Sequence, residues 1–345
     1  MKKVYFTQIN NLIADAIFLP LSVAYIWEYC KTQVTDWELG DIFFERESVE
    51  DYLKKIDNPD ILALSTYVWN WDITCQLARA VKKKYPNCKI VMGGPQVPFK
   101  QSWLEDNPDL CDIIVTYAGE RAFAEILKGN YTYPGVMTKE SYTPPKPDRE
   151  LNDIPSPYLS GLMDSLMQPG KQYSAIIETN RGCPYSCSFC DQQDLYYNKI
   201  AMFDYDRVIG EIDWVVKNKI DFLYFGDSNV GMFNRDVDFI RHIAKRRNET
   251  GYPRQIDYST AKQQPKRIVE LGEILNKEAK IRRGVTIALQ SMNPKTLKAI
   301  KRINLANEKL EQIVSDYNKA GVDNYCELIV GLPEETLDSW IEGIG

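Results

Sequence analysis

Residues 176–191 read Ile176-Ile177-Glu178-Thr179-Asn180-Arg181-Gly182-Cys183-Pro184-Tyr185-Ser186-Cys187-Ser188-Phe189-Cys190-Asp191. The stretch is entered through Ala175-Ile176-Ile177, a short apolar run with the character of a buried strand. Gly182 and Pro184 then turn the chain into a loop. The loop carries Cys183, Cys187 and Cys190, spaced C-x3-C-x2-C. Thiolates are soft ligands suited to iron–sulfur clusters, and close spacing lets the sulfurs converge on one group. A [4Fe–4S] cluster held by protein alone takes four thiolates, so a trio leaves one iron open to another ligand. The competing reading is a zinc knuckle, or cysteines that are simply buried. A Cys3His zinc site needs a histidine, and the single one, His242, stands outside the loop in a helical pattern.

Downstream of the loop, strands and helices alternate. Asp206 to Asn218 has helical spacing, with Val208, Ile212, Val215 and Val216 on one side. Phe222-Leu223-Tyr224-Phe225 is the second strand of this half and ends in Gly226-Asp227-Ser228-Asn229. The helix Arg235 to Arg246 carries His242 among charged neighbours, which predicts solvated surface. Ile256 to Thr260, Gly284 to Ser291 and Tyr325 to Glu334 are the third, fourth and fifth strands, with helices between them. A repeated βα unit predicts a parallel barrel with its chemistry at the carboxyl ends of the strands. The sequence stops at Gly345, soon after Glu335-Thr336, so a partial barrel truncated after its fifth strand is expected. Leu195-Tyr196-Tyr197 and the loop from Asn229 to Asn234 are candidates to face a substrate.

Upstream, residues 141–172 read as a linker, with the extended Tyr142-Thr143-Pro144-Pro145-Lys146-Pro147 and then Ile154-Pro155-Ser156-Pro157-Tyr158. Residues 1–140 form a second α/β pattern. Strands are expected at 3–9, Thr35 to Phe44, Asp60 to Ser65, Lys89 to Met92 and Ile113 to Tyr117. Helices are expected at 20–31, 48–56 and 71–85, and from Glu120 to about Lys128. Such alternation predicts a doubly wound, mostly parallel, Rossmann-like sheet that binds ligands where its strands end. Those ends carry Ser65-Thr66, Gly93-Gly94-Pro95 and Gly119-Glu120. Glycines there admit a bulky nucleotide-like ligand close to the backbone, or merely make tight turns.

The cysteine loop after a strand, with Phe189 just before the third cysteine, resembles the signature of the radical S-adenosylmethionine (SAM) superfamily. The resemblance implies a partial barrel that binds a [4Fe–4S] cluster through Cys183, Cys187 and Cys190, with SAM on the open iron. Reductive cleavage of SAM to a 5′-deoxyadenosyl radical follows from it. It also implies that Gly226, Asp227 and Ser228 receive the SAM amino group, and that Ser259, Gln290 and Ser291 meet its ribose and carboxylate. Arg302 would approach SAM. Glu327-Leu328-Ile329-Val330-Gly331-Leu332-Pro333-Glu334 resembles the superfamily's G-x-I-x-G-x-x-E, with Glu327 in place of the first glycine, which lays Ile329 against the adenine. Each strand-end Ser or Asp taken alone is also what a helix cap would look like.

The first half resembles the cobalamin-binding domain that precedes many radical SAM barrels. By that resemblance Ser65, Thr66, Gly93, Gly94 and Gly119 line the nucleotide tail of the corrinoid, and Tyr67, Trp69, Trp71 and Gln96 are candidates for its upper face. Interdomain packing is the other reading of those aromatics. Residues 1–140 contain no histidine, so cobalamin would sit without a protein imidazole on its lower face; a domain that has lost cobalamin would look the same. The implied activity is a cobalamin-dependent radical SAM enzyme that methylates an unactivated carbon. The alternatives are a radical SAM rearrangement or coupling without methyl transfer, and an inactive corrinoid- or SAM-binding protein.

Composition narrows the class. A chain of 345 residues suits about two domains. The net charge of −6 argues against a broad nucleic-acid or membrane surface, and no run approaches the ~20 apolar residues of a membrane span. Met1-Lys2-Lys3 leads directly into Val4-Tyr5-Phe6, without a secretory signal core. Cys30, Cys75, Cys88, Cys111 and Cys326 are scattered in apolar settings and read as small core residues. These features, with an exposed cluster, predict a reducing cytoplasm, a small-molecule or peptide substrate, and an electron donor such as flavodoxin or ferredoxin.

Overall fold

The structure is a computed structural model that describes residues 1–13, 16–190, 197–261, 264–281, 284–304 and 307–344. Leu195 and Tyr196 of the candidate substrate-facing segment lie outside the described residues. The chain divides into two compact units, Met1–Ser174 and Ala175–Gly345.

The first unit is built on β1 (Lys2–Thr7), β4 (Trp37–Phe43), β5 (Ile61–Ser65), β6 (Lys89–Gly93), β7 (Ile113–Val115) and β8 (Val136–Met137). The sheet order is β4-β1-β5-β6-β7-β8. Every pairing is parallel except β7 with β8. A parallel sheet is covered on both faces, which is why β5 reads Ile-Leu-Ala-Leu without alternation and is buried along those four positions. Successive residues point to opposite faces, and β1 shows the consequence. Tyr5 stacks on Phe43, which packs against Tyr52 of α2 (Val49–Lys55). Phe6 turns the other way, onto Trp27 of α1 (Leu21–Gln33) and Phe123 of α5 (Glu120–Leu127). α3 (Trp71–Lys84) adds Leu77, Ala78 and Val81 to the same core as Tyr52. Ser48 caps α2 by accepting the Asp51 amide at 3.2 Å.

Among the elements unread in the sequence are β8, α4 (Gln101–Asp106), and the hairpin of β2 (Leu12–Ile13) with β3 (Ala16–Phe18). Each is too short to show a period. The proline-rich stretch 141–172 lies within the first unit. Leu151, Ile154, Tyr158 and Met163 are buried, the last on α6 (Leu162–Leu166). Arg121 of α5 ties the stretch down, donating to Asp148 at 2.8 Å and pairing with Asp153 at 2.9 Å.

β9 (Tyr173–Ile177) leads into the second unit, where β12 (Phe222–Val230) and β13 (Gln255–Thr260) follow it in the order β13-β12-β9. β12 and β13 pair in parallel from Phe222↔Gln255 to Phe225↔Tyr258. Leu223, Phe225, Ile256 and Tyr258 are buried, while Gly226, Asp257 and Ser259 are exposed. One sheet face is therefore covered and the other open. After the cysteine loop, β11 (Ala201–Met202) returns antiparallel to β10 (Asn180–Arg181). α7 (Tyr205–Lys217) packs beside α8 (Asn234–Thr250). His242, expected to be solvated, instead has Nε2 2.9 Å from Asp213 Oδ1 between these two helices. β14 (Val285–Gln290) and β15 (Asn324–Leu328) form a parallel pair, and Thr260 Oγ1 donates to the Thr286 carbonyl at 2.9 Å. Among the described residues no helix is long and apolar enough to cross a membrane.

Candidate cofactor sites

The cysteine loop is pinned at its root, throat and tip. At the root, Asp227 of β12 reaches back to the end of β9. Its Oδ1 accepts the Thr179 amide at 2.8 Å and the Asn180 amide at 3.0 Å, and its Oδ2 accepts the Thr179 hydroxyl at 2.8 Å. Asp227 is 3% exposed. Burial pushes its carboxyl up to about 7, against the pull of the Asn180 and Thr179 hydrogen bonds, which favour the ionised form. At the throat, Gly182 has φ +112°, and a Cβ there would lie 2.2 Å from the Lys199 carbonyl oxygen, so no larger residue fits. The Cys183 amide donates to Tyr197 O at 2.7 Å. At the tip, the Ser188 amide donates to Ile300 O at 3.0 Å.

The thiols then fall into distinct surroundings. Cys183 and Cys187 are buried, Cys190 is half-buried, and Phe189 is 38% exposed. Asn229, next along β12, donates Nδ2 to Cys183 Sγ at 3.3 Å. Arg302, 7% exposed, lies with Nη1 4.0 Å from Cys187 Sγ. Its other side-chain partners among the described residues are Asn304 Oδ1 at 2.9 Å and the Ala288 carbonyl, and none is a carboxylate. Burial pulls the guanidinium below its ordinary value, while Cys187 pulls it back up. N–H donors facing two of the sulfurs suit anionic thiolates. Among the described residues no three His, Cys, Asp or Glu are gathered as a cage for one metal ion. The only histidine, His242, is held at Asp213, so a set of three thiols fits a cluster with one open iron better than a Cys3His zinc site.

Several residues expected to touch SAM are committed to the fold instead. Asp227 is spent on Thr179 and Asn180. The Ser291 hydroxyl donates to Glu335 and accepts the Asn293 amide at 3.0 Å, so it acts as a tether. Gln290 is buried at φ +68°, and its carbonyl accepts the Ile329 amide at 2.8 Å, joining β14 to the segment after β15. Of the rest of the expected set, Gly226 and Ser259 are exposed and Ser228 is half-buried. Asn229, expected in a substrate-facing loop, faces Cys183. That loop is itself rigidly built: Asp236 accepts the Gly231 and Phe233 amides at 2.8 and 3.0 Å, and Arg267 donates to the Gly231 and Met232 carbonyls.

In the first unit, the strand ends of β5 and β6 interlock. Thr66 is fully buried and gives both its amide (2.8 Å) and its hydroxyl (2.9 Å) to the Gly93 carbonyl. Gly94 has φ +103°, and a Cβ there would lie 2.5 Å from Thr66 O. The Gln96 amide, 3.4 Å from Thr66 O, closes the turn, and the Ser65 carbonyl accepts Asn70 Nδ2 at 3.0 Å. Gly119 answers to packing, since a Cβ would meet Ile26 Cδ1 of α1 at 2.8 Å. The aromatic candidates separate. Trp71 is turned into the helical layer against Trp103. Tyr67 and Trp69 stack with ring centroids 4.4 Å apart, beside Val68, which is 76% exposed. Phe99, 41% exposed, packs on Tyr117 at the end of β7. Exposed aromatic surface beside glycine-lined strand ends fits a large flat ligand.

Comparison with known proteins agrees with both halves. A match to the radical SAM superfamily covers residues 177–343, and a match to the B12 binding domain covers residues 12–127. The whole chain is 34% identical to the cobalamin-dependent radical SAM methyltransferase TokK of Streptomyces tokunonensis and covers 53% of it. It is 33% identical to the 2-(S-pantetheinyl)-carbapenam-3-carboxylate methyltransferase of Streptantibioticus cattleyicolor, again over all of this chain and 53% of that protein. The chain thus spans about half the length of these curated relatives. Among solved structures, the cobalamin-dependent SAM radical enzyme OxsB with aqua-cobalamin and SAM bound superposes with a TM-score of 0.71 at 16% identity, over all of this chain and 51% of that one. TsrM from Kitasatospora setae, with cobalamin and a [4Fe–4S] cluster bound, superposes with a TM-score of 0.69 at 16% identity, over all of this chain and 70% of that one. The chain belongs to the radical SAM superfamily, with a B12-binding domain ahead of its radical SAM domain.

Proposed function

We propose that the protein is a cobalamin-dependent radical SAM methyltransferase acting on an unactivated carbon of a small molecule. The observation that carries this is the pinned C-x3-C-x2-C loop with amide and guanidinium donors on two of its sulfurs. When bound, the cluster, SAM and the corrinoid supply one-electron reduction, hydrogen abstraction and methyl delivery. Cys183, Cys187 and Cys190 hold the iron. Asp227 fixes where the loop leaves β9, and Gly182 lets it turn back against Lys199. Gly226, Ser228 and Ser259, toward the ends of their strands, are the residues assigned to meet SAM. In the first unit the turn locked by Thr66 and Gly94 would carry the corrinoid tail, and the Tyr67–Trp69 stack offers it an apolar face. The only histidine is His242, so residues 1–174 contribute no imidazole to cobalt.

The carbapenam methyltransferase likeness makes a carbapenam thioether the first substrate to try. A low-potential donor of the flavodoxin or ferredoxin kind, and a reducing cytoplasm, complete the reading. The test is anaerobic reconstitution with iron, sulfide and hydroxocobalamin, then SAM and dithionite. 5′-Deoxyadenosine together with a methylated product supports the proposal. 5′-Deoxyadenosine with a product that gains no methyl favours the rearrangement or coupling reading, and absence of 5′-deoxyadenosine rejects the enzyme reading.

A further inference from the structure

We propose that Asn229 and Arg302 are positioning residues that set the reduction potential of the cluster, each by directing an N–H donor at one thiolate sulfur. The inference rests on the assignment of Cys183 and Cys187 as cluster ligands. Asn229 is 5% exposed, its Nδ2 is 3.3 Å from Cys183 Sγ, and its Oδ1 has no partner among the described residues. The buried amide thus turns its N–H end, not its oxygen, toward the sulfur. Arg302 makes the same point with a full charge. A guanidinium is costly to bury without an anion. Of its side-chain partners, Cys187 Sγ is the one able to carry negative charge.

Both residues stand on elements outside the cysteine loop. Asn229 is held in β12, where its carbonyl accepts the Met232 amide at 3.3 Å. Arg302 follows α10 (Pro294–Ala299), with its amide on Leu297 O at 2.9 Å. Their effect on the cluster is separable from the ligand set for that reason. Reduction places one electron from a low-potential donor on the cluster and makes or breaks no bond. The reduced cluster is the more negative state, so donors on its sulfurs stabilise it more than the oxidised state and raise the potential.

The test is a potentiometric titration with dithionite, followed by the electron paramagnetic resonance signal of the reduced cluster. Asn229→Ala should load the same iron as the wild type but shift the reduction equilibrium about tenfold toward the oxidised form, about 59 mV for one electron. Asn229→Asp keeps the shape and cannot donate, so it should shift further in the same direction. Arg302→Gln should shift likewise, and Arg302→Lys should recover part of the loss. Wild-type potentials in fully loaded Asn229→Ala and Asn229→Asp would overturn the proposal. So would variants that fold, by circular dichroism, yet load no iron, because the residues would then assemble the cluster rather than tune it. Full iron loading in Cys183→Ala would instead reject the ligand assignment beneath it.

Discussion

Asp227→Asn isolates the carboxylate that anchors the cysteine loop. The wild-type carboxyl titrates near 3.8 in the unfolded chain and is pushed up to about 7 by burial in the folded one. Between those values the folded state holds a proton that the unfolded state has released. Raising the pH therefore favours unfolding: the contribution is complete below 3.8 and lost as pH passes through about 7. Each pKa unit corresponds to about 1.4 kcal/mol, so some two units between pH 5 and pH 8 amount to about 3 kcal/mol. Asparagine keeps the two acceptor bonds to the Thr179 and Asn180 amides and presents its own amide to the Thr179 hydroxyl, which can accept. It does not titrate. Urea unfolding of the cluster-free protein at pH 5, 6, 7 and 8 should show the wild type losing about 3 kcal/mol relative to Asp227→Asn across the series. Parallel curves, or a wild type that gains on the variant as pH rises, would refute the reasoning. The carboxylate would then be ionised throughout, with its three donors outweighing burial.

Three further predictions follow from the geometry of the two units. Cys183→Ala, Cys187→Ala and Cys190→Ala should each abolish the visible absorbance of the reconstituted cluster, whereas Cys75→Ala and Cys111→Ala, both core positions, should leave it intact; five equal spectra would dismiss the ligand set. Gly94→Ala meets the Thr66 carbonyl at a positive φ and should cost about 2 kcal/mol or more, lowering Tm by about 4–8 °C and weakening hydroxocobalamin retention; an unchanged melting curve would mean the turn is not locked. Gly119→Ala should lose stability through Ile26 and regain most of it in the double variant with Ile26→Val, so that non-additivity in the thermal melts distinguishes a packing glycine from a ligand-lining one.

Much of the fold was legible because its signals are local. A continuous apolar run such as Ile61-Leu62-Ala63-Leu64 marks a strand covered on both faces, and Ile73, Leu77, Ala80 and Val81 at helical intervals mark the helix laid over it, which also buries Ala78. The stretch 141–172 misled for the opposite reason. Its prolines read as an extended linker, but it is held by Arg121, which lies outside it, and by scattered apolar residues that dock singly. No periodicity announces that kind of anchoring. β8 and α4 escaped because two strand residues, or a helix of six residues and less than two turns, cannot display a period.

The site divides along the same physical line. The cysteines, with Gly182 between strand and loop, announce themselves by spacing, because one turn must bring the sulfurs together. What their neighbours do depends on partners remote in sequence. Asp227 meets Thr179 across 48 residues, and Arg302 meets Cys187 across 115. A strand-end Asp or Ser looks equally apt for a ligand or for the fold, and folding spends Asp227 and Ser291 on the fold because a buried polar group left unpaired is costly. Asn229 illustrates the converse. It read as the start of a substrate-facing loop, but one of its two polar ends is satisfied by a sulfur and the other by nothing described. A fully paired Asn would carry only structural information. A half-paired one, buried against a cysteine that a metal would make anionic, reports on chemistry that the fold alone does not require.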